Sequence, residues 1–465
     1  MPEPNLVFAD GGETTDPRAG LLKYGPCPVT NEDIPDVVKV GVVGDSRSIG
    51  MMKDLLREMR TGIPTRGDGR KRWKPPFPGL GVDSELRFDY HLREHWEGRI
   101  REDMMTDLAE IPRRDERVEF AFRTMRNQIQ RLCSMTPSPD VIFVTIPERI
   151  VELCSDPNTD TEEIRTEKGN FRSRVKLVGI ENQTPTQLMS PKALQDARDV
   201  QERSEVAWNI AVGMLYKARR GRPWKLGKLR SGTCYAGISF FEDRGEGSKT
   251  RASVAQVFIP DGTHFVIRGD PVEDIAEDQP RTHLGKEDAM NLVENILHNF
   301  GMYEDERPQR LVLHKSSNFL EEERRGFAAG ADDVPEKEFI TIRKRHPLRL
   351  FPPRGDHPAM RGTLAIPPGE EEYYLYTTGY VPEQTVYNGP ATPNPIVIRP
   401  DSVYYSGDYH RICDEILAFS KLDWNSSDFC KRLPVTIDIA NAVSDILAEP
   451  AASDVNLQTH YYYYM

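Results

Sequence analysis

The chain has 465 residues, 38% hydrophobic and 29% charged, enough for two or three full-sized cores and too apolar for a disordered tail. Its formal charge of −12 excludes nucleic-acid binding over the whole surface, because phosphate contacts need a positive field, but leaves room for a local basic groove. No apolar run approaches the ~20 residues that span a bilayer, and "MPEPNLVFADGG" lacks the basic start and apolar stretch of a secretion signal; a cytoplasmic location without membrane association is expected.

After an opening punctuated by Gly and Pro, "VVKVGVVG" is a β-branched run ending in glycine, the pattern of a buried parallel strand. "SIGMMKDLLREMRTG" places apolar residues at helical spacing, "RWKPPFPGLGV" breaks the pattern, and "ERVEFAFRTMRNQIQRLCSM" is a second amphipathic helix. "SPDVIFVTIP" is another buried strand. Strand, helix, helix and strand at this spacing predict a Rossmann-like α/β layer. "FRSRVKLVG" reads as a helix, "TPTQLM" as a strand, and "VQERSEVAWNIAVGMLYKARRG" as a helix closing in a basic turn and glycine. Then the grammar changes. "TCYAGISFFED", "ASVAQVFIP" and "THFVIRG" are successive strands, followed by the helix "KEDAMNLVENILHNFG" and the strand "RLVLHKS", the order of an RNase H-like core. "FITIRKR", "EEYYLYTTGYV" and "NPIVIRP" add strands, "DYHRICDEILAFSKL" and "IDIANAVSDILAE" add helices, and the tail "HYYYYM" reads as a terminal strand whose tyrosines pack.

The six cysteines, at 27, 133, 154, 234, 413 and 430, form no CxxC pair, which argues against a zinc site and a disulfide framework and leaves most of them as small core residues. His264, His283 and His314 stand alone, without HxH or HExxH spacing. The glycines of "GVVGDSRSIG" are not GxGxxG and no acid is placed for a ribose, so a strand-to-helix turn accounts for them.

Charge is concentrated from Lys217 to Arg230, "KARRGRPWKLGKLR", with seven basic residues and no acid. Upstream, Arg172 and Lys176 lie at i and i+4 of a helix and present two cations on one face. With Gln187 and Lys217 they make three cations and an amide that could converge on a terminal phosphate; the same spacing also describes a solvated basic face. The strand tips carry Ser239 and Ser316. Two-metal phosphodiester hydrolysis needs clustered carboxylates there, since hydroxyls do not hold Mg²⁺ tightly. Glu242 and Asp243 follow the first strand as turn acids, and "EDIAED" lies further on.

Taken in order, "TDPRAGLLKYGP", "PDVIFVTIPERI", "FRSRVKLVGIENQTPTQL", "YKARRGRPWKLGKLRSGTCYAGISF", "LHKSSNFLEEERRGF", "AMRGTLA", "TPNPIVI" and "LPVTIDIANAVSDIL" resemble a short prokaryotic Argonaute built from MID and PIWI domains. The resemblance divides the chain into an N-terminal extension (1–35), a Rossmann-like MID domain (36–222) and an RNase H-like PIWI domain (223–465). It implies that Arg172, Lys176, Gln187 and Lys217 grip the 5′ phosphate of a guide strand, allows a Mg²⁺ ion beside that phosphate, and makes Arg219, Arg220, Arg222 and Lys225 candidates for nucleic-acid backbone contact. Cutting relatives carry metal ligands where this chain has Ser239, Ser316 and Asn441, so the resemblance implies a PIWI domain that holds a duplex without cleaving it.

The partners implied are a guide RNA, a complementary single-stranded DNA target, and an APAZ-domain effector protein, commonly a sirtuin- or TIR-type NADase. Target recognition would activate the effector, deplete NAD⁺ and abort infection, with further oligomerisation on activation. Two other readings stay open. One is an active metal-dependent guided nuclease using Glu242, Asp243 or the acids of "EDIAED"; the other is a nucleotide- or NAD-binding Rossmann enzyme built on "GVVGDS".

Overall fold

The computed structural model describes residues 1–28, 36–66, 74–157, 163–166, 169–195, 201–242, 250–258, 264–268, 283–304, 306–353, 357–384, 386–387, 391–453, 455 and 460–465. The β-branched run becomes the strand Val37–Gly44, which lies inside a four-stranded, wholly parallel sheet. The order across that sheet is Asp89–Arg99, Val37–Gly44, Val141–Thr145 and Thr186–Met189. Both faces are covered, which is why the central strands read as continuous apolar runs. Val38, Val40 and Val42 pack into one core with the helices Ser46–Thr61 and Arg203–Lys217. Val43, Ile142 and Val144 pack into another with Arg114–Cys133 and Phe171–Glu181. The turn at "GVVGDS" is structural, as expected: a Cβ on Gly44 would stand 2.1 Å from Thr145 Oγ1, and Asp45 caps the following helix by accepting from the Ser48 N–H at 2.8 Å.

The strand Asp89–Arg99 is absent from the sequence reading, which passes from one helix directly to the next. Its residues, "DYHLREHWEGR", alternate poorly because it is an edge strand with several exposed side chains.

The second sheet has eight strands in the order His264–Arg268, Thr250–Phe258, Thr233–Glu242, Arg310–Lys315, Glu336–Arg343, Ile396–Pro400, Tyr373–Leu375 and Leu364–Ala365. Thr233–Glu242, Arg310–Lys315 and Glu336–Arg343 run parallel, and the other neighbours are antiparallel. Three antiparallel strands followed by two parallel ones, with helices between, is the RNase H-like arrangement that the element order predicts. The helices Lys286–Phe300 and Glu321–Gly330 cover one face. Tyr409–Phe419 and Val435–Leu447 cover the other, in the core that continues into the first sheet. The last helix lies directly on Thr233–Glu242, where a Cβ on Gly237 would stand 1.8 Å from the Thr436 carbonyl oxygen.

The tail differs from expectation. Tyr461–Tyr463 form a turn of 3₁₀ helix, and only His460 makes a bridge, to Phe265. The tyrosines do pack: Tyr461 and Tyr462 both meet the ring of Tyr216 on the helix Arg203–Lys217. A winding turn, which a strand could not supply, lets successive rings reach the same neighbour. Among the described residues no helix is long and apolar enough to cross a membrane. The cysteines are free, four of them buried, as expected of core residues.

The parallel strands are locked at their start by Arg310, whose side chain is fully buried. It donates to Glu338 through Nε at 2.7 Å and to Glu415 through Nη1 at 2.6 Å, tying two strands to the helix Tyr409–Phe419. Removing one member of such a group leaves buried charge without a partner, so Arg310→Met is expected to destabilise the protein by about 3–5 kcal/mol. Arg325→Ala, which breaks only exposed pairs with Glu321 and Glu322, is expected to cost less than about 1 kcal/mol. Urea denaturation of the two variants checks the contrast.

Candidate nucleic-acid interface

The helix Phe171–Glu181 starts at Asn170, whose side chain accepts from the Arg172 N–H at 2.9 Å. The spacing of Arg172 and Lys176 then does what helical geometry dictates and stacks them one turn apart. Their environments differ. Arg172 is exposed at the mouth, while Lys176 is only 2% exposed. The Lys176 ammonium donates to the main-chain oxygens of Thr186 and Met465. Lys217, at the end of the helix Arg203–Lys217 and equally buried, donates to Gln187 Oε1 and, at 3.3 Å, to Asn425 Oδ1. The structure therefore gathers all four predicted residues into one place.

Among the described residues, neither lysine has an Asp or Glu side chain within ion-pairing distance; Lys217 leans on two amide oxygens, and Lys176 on the Thr186 carbonyl and a main-chain oxygen of Met465. Burial, reinforced by Lys217 and Arg172, holds the Lys176 ammonium well below the usual lysine range. Burial and Arg172 bring Lys217 down to about 7, against a weaker opposing pull from Asp423. The hydroxyl of Thr186, beside Lys176, is buried without a hydrogen-bond partner. Two desolvated ammonium groups, a guanidinium at the mouth and an amide make a pocket short of negative charge, and a phosphate dianion supplies what is missing. Gln187 Oε1, Asn425 Oδ1, the Thr186 hydroxyl and the Met465 main-chain oxygen are oxygen donors of the kind that Mg²⁺ takes beside a phosphate.

Asn425, Asp423, Tyr461 and Met465 went unseen in the sequence reading because they approach from loops and a tail far along the chain, while Thr186 lies within the strand read from "TPTQLM" but gave no signal of its own. Only the tyrosine-rich tail gave any signal.

The downstream basic residues have divergent placements. Arg219 turns inward, ion-paired with Asp36 at 2.5 Å and donating to the Arg87 carbonyl oxygen at 3.1 Å. Its guanidinium is thus spent within the protein. Arg220 is exposed with its guanidinium 5.5 Å from the centre of the Tyr462 ring, and Arg222 and Lys225 are half-buried.

At the tip of the second sheet, Ser239 Oγ donates to the Ala440 carbonyl at 2.9 Å and shares a hydrogen bond with Ser444 Oγ. Ile238 is paired with Lys315 across parallel strands, so Ser316 follows the last paired position beside Ser239. Asn441 is the neighbour of Ala440. The three positions thus converge at one tip, and none supplies a carboxylate. Among the described residues no group of three His, Cys, Asp or Glu is arranged to hold a metal. The side chain of Glu242, all of Asp243 and the acids of "EDIAED" lie outside the described residues, as does the side chain of His264. His314 is buried against Thr436 Oγ1 at 2.8 Å and is pushed down to about 3, first by burial and then by Arg310. It is a neutral core histidine. His283 lies 3.2 Å from Glu323.

No protein-family model matches the sequence, and no curated protein is significantly similar to it. Solved structures do match. Clostridium butyricum Argonaute, bound to a guide DNA and a 19-mer target DNA, superposes with a TM-score of 0.61 at 16% identity over 97% of this chain and 52% of its own. The chain has an Argonaute fold. A. aeolicus Argonaute (TM-score 0.56, 16% identity, 96% of this chain and 52% of its own) and Drosophila Piwi (0.59, 14%, 100% and 56%) agree. The chain spans about half the length of these Argonaute structures, and its two sheets are the MID and PIWI layers of that fold.

The buried lysines make binding proton-linked. A phosphate dianion favours the charged form of Lys217, so its pKa rises from about 7 in the complex. Between the free and the bound pKa, binding takes up a proton and affinity falls as pH rises. Below about pH 6 the phosphate itself loses a charge. The affinity of a 5′-phosphorylated strand is therefore expected to be greatest between about pH 6 and 7 and to decline towards pH 9. Calorimetry at pH 8 in two buffers of different ionisation enthalpy should show proton uptake, and Lys217→Met should lose most of it.

Proposed function

We propose that this chain anchors a 5′-phosphorylated guide strand, an RNA, in the pocket of Arg172, Lys176, Gln187 and Lys217, and pairs it with complementary single-stranded DNA without cutting it. The observation that carries the reading is the convergence of two buried lysines with no Asp or Glu partner among the described residues on Gln187, beneath the exposed Arg172. On binding, the terminal phosphate replaces Gln187 Oε1 and the Met465 oxygen as the acceptor for Lys217 and Lys176, and Arg172 closes over it from the mouth. The lysines supply positive charge to the phosphate, and a Mg²⁺ ion beside it would add to that charge. Sequence is then read by base pairing, while the protein holds the strand's end and backbone. Arg220, exposed beside the pocket, is placed to meet the backbone; Arg219 acts indirectly by fixing the segment Arg219–Lys225 to Asp36.

Hydroxyl and amide side chains at positions 239, 316 and 441 support duplex retention without hydrolysis, because they offer no anionic ligands for two divalent ions. A binder without chemistry needs a reader. The resemblance to short Argonautes supports a partner with an APAZ domain and a sirtuin- or TIR-type NADase. The guide–target duplex would bind the complex's active state better than its resting state, and that difference in affinity is what shifts the population and releases NAD⁺ consumption. Depletion of NAD⁺ in an invaded cell, with assembly of activated complexes, would complete the response in the cytoplasm.

A short RNA with a 5′ phosphate should bind at least tenfold more tightly than the same RNA with a 5′ hydroxyl, a difference of about 1.4 kcal/mol or more, and Lys176→Ala should abolish the preference. Equal binding of the two RNAs contradicts the pocket assignment. Guided cleavage of complementary DNA by the chain in Mg²⁺ or Mn²⁺ contradicts the non-cutting role.

A further inference from the structure

The segment "TDPRAGLLKYGP" takes no direct part in the lysine pocket, yet it is bound to the loop that closes that pocket. The loop, residues 422–433, joins the helices Tyr409–Phe419 and Val435–Leu447 and brings Asn425 Oδ1 to within 3.3 Å of the Lys217 ammonium. It meets the helix Arg203–Lys217 at a second point as well. There the Ser427 N–H and hydroxyl both donate to Asn209 Oδ1 at 2.9 Å. Arg18, in the first turn of the helix Pro17–Tyr24, completes that contact by donating from Nε to Ser427 Oγ at 3.0 Å. Ser427 is 1% exposed and Arg18 6%, so the exchange takes place out of water, where a lost partner is costly. At the foot of the loop, buried Lys421 donates to Glu3 Oε1 at 2.7 Å and to the Thr15 carbonyl oxygen at 2.5 Å. The N-terminal extension thus grips the loop at two places.

The far side of the loop has little to pack against. Ser427, Asp428, Phe429 and Cys430, together with Arg18, line a cavity of about 610 Å³. A segment bordered by that much space is kept in place by its hydrogen bonds more than by close packing. Asn425 stands between two anchors. One is Trp424, whose ring lies 4.9 Å from that of Tyr216, and the other is Ser427, held by Asn209 and Arg18.

We infer that Arg18 is a positioning residue for the guide's 5′ phosphate: by fixing Ser427 it sets Asn425 against Lys217 and so aims the ammonium at the phosphate. When the phosphate takes the place of Gln187 Oε1, Asn425 remains as the acceptor that keeps the ammonium in line. Without the Arg18 bond the loop has room to shift into the cavity, and Asn425 withdraws with it. Arg18 acts through Ser427 and Asn425 and does not touch the strand. The inference rests on the guide-anchoring reading, since it concerns how one of the anchoring lysines is aimed.

The test is a double-mutant cycle of Arg18→Met and Asn425→Ala. It is read on the phosphate gain, the ratio of the affinities of one RNA carrying a 5′ phosphate and a 5′ hydroxyl. Arg18→Met is expected to cut the gain about fivefold, the size of one net hydrogen bond, with the 5′-hydroxyl RNA bound as before. Asn425→Ala should do the same, and the double variant should be no worse than either single one, because both act on one ammonium contact. An unchanged gain in Arg18→Met, or losses that multiply in the double variant, overturns the inference. The charges of Asp428, Glu205 and Asp16 act on the Arg18 guanidinium, so its removal can unfold the protein. Ser427→Ala leaves those charges in place and should cut the gain by the same factor; an unchanged gain there overturns the inference equally. Absence of any phosphate gain in the unaltered protein overturns the anchoring reading instead.

Discussion

Two lysine ammonium groups buried without an Asp or Glu partner among the described residues are the constraint around which the chain is organised. An ammonium out of water is costly unless it is well hydrogen-bonded. Three separate parts of the chain supply the acceptors here: the strand Thr186–Met189, the loop at Asn425 and the tail at Met465. The tail that reaches Lys176 packs through Tyr461 and Tyr462 against Tyr216 and bridges Phe265 through His460. The MID and PIWI layers are thus joined at the pocket itself, and one core of buried side chains runs through both. Stability is given up locally for an affinity that appears when an anion arrives, which is the usual relation between strained polar groups and binding sites.

The other end of the PIWI layer shows the opposite economy. Ser239 is hydrogen-bonded to the helix Val435–Leu447, Gly237 lets that helix lie on the strand backbone, and His314 is held neutral beneath it. Every polar atom named there has a protein partner. The arrangement is what a scaffold needs, with its polar groups satisfied and its helix seated closely on the sheet.

Much of the fold was legible in the sequence. "VVKVGVVG", "PDVIFVTIP" and "RLVLHKS" are buried on both faces, and continuous apolar runs announce such strands. Asp89–Arg99 was not legible, because an edge strand with several exposed side chains satisfies neither the alternating nor the continuous pattern. The tail was misread for a related reason: four tyrosines have high strand propensity, but packing against Tyr216 outweighs propensity. Within the site, helix spacing placed Arg172 above Lys176. Nothing in spacing showed that Lys176 would be buried while Arg172 stayed exposed, or that Asn425 and Met465 would close the pocket from more than 200 residues away. In the basic run, composition could not separate Arg219, turned in to Asp36, from Arg220, facing out. Counterparts distant in sequence decide such cases, and a local pattern carries no record of them.

The central claim is that a guide strand's 5′ end sits between Lys176 and Lys217. The most direct measurement is photocrosslinking of a 5′-phosphorylated RNA bearing 4-thiouridine at its first position, with the crosslinked residues mapped by mass spectrometry. Crosslinks are predicted within residues 171–189, 419–442 and 460–465, and they should be lost when the 5′ phosphate is removed. Crosslinks confined to the crevice lined by Asp45, Arg47 and Arg149 at the tip of the first sheet, or crosslinks indifferent to the phosphate, would contradict it.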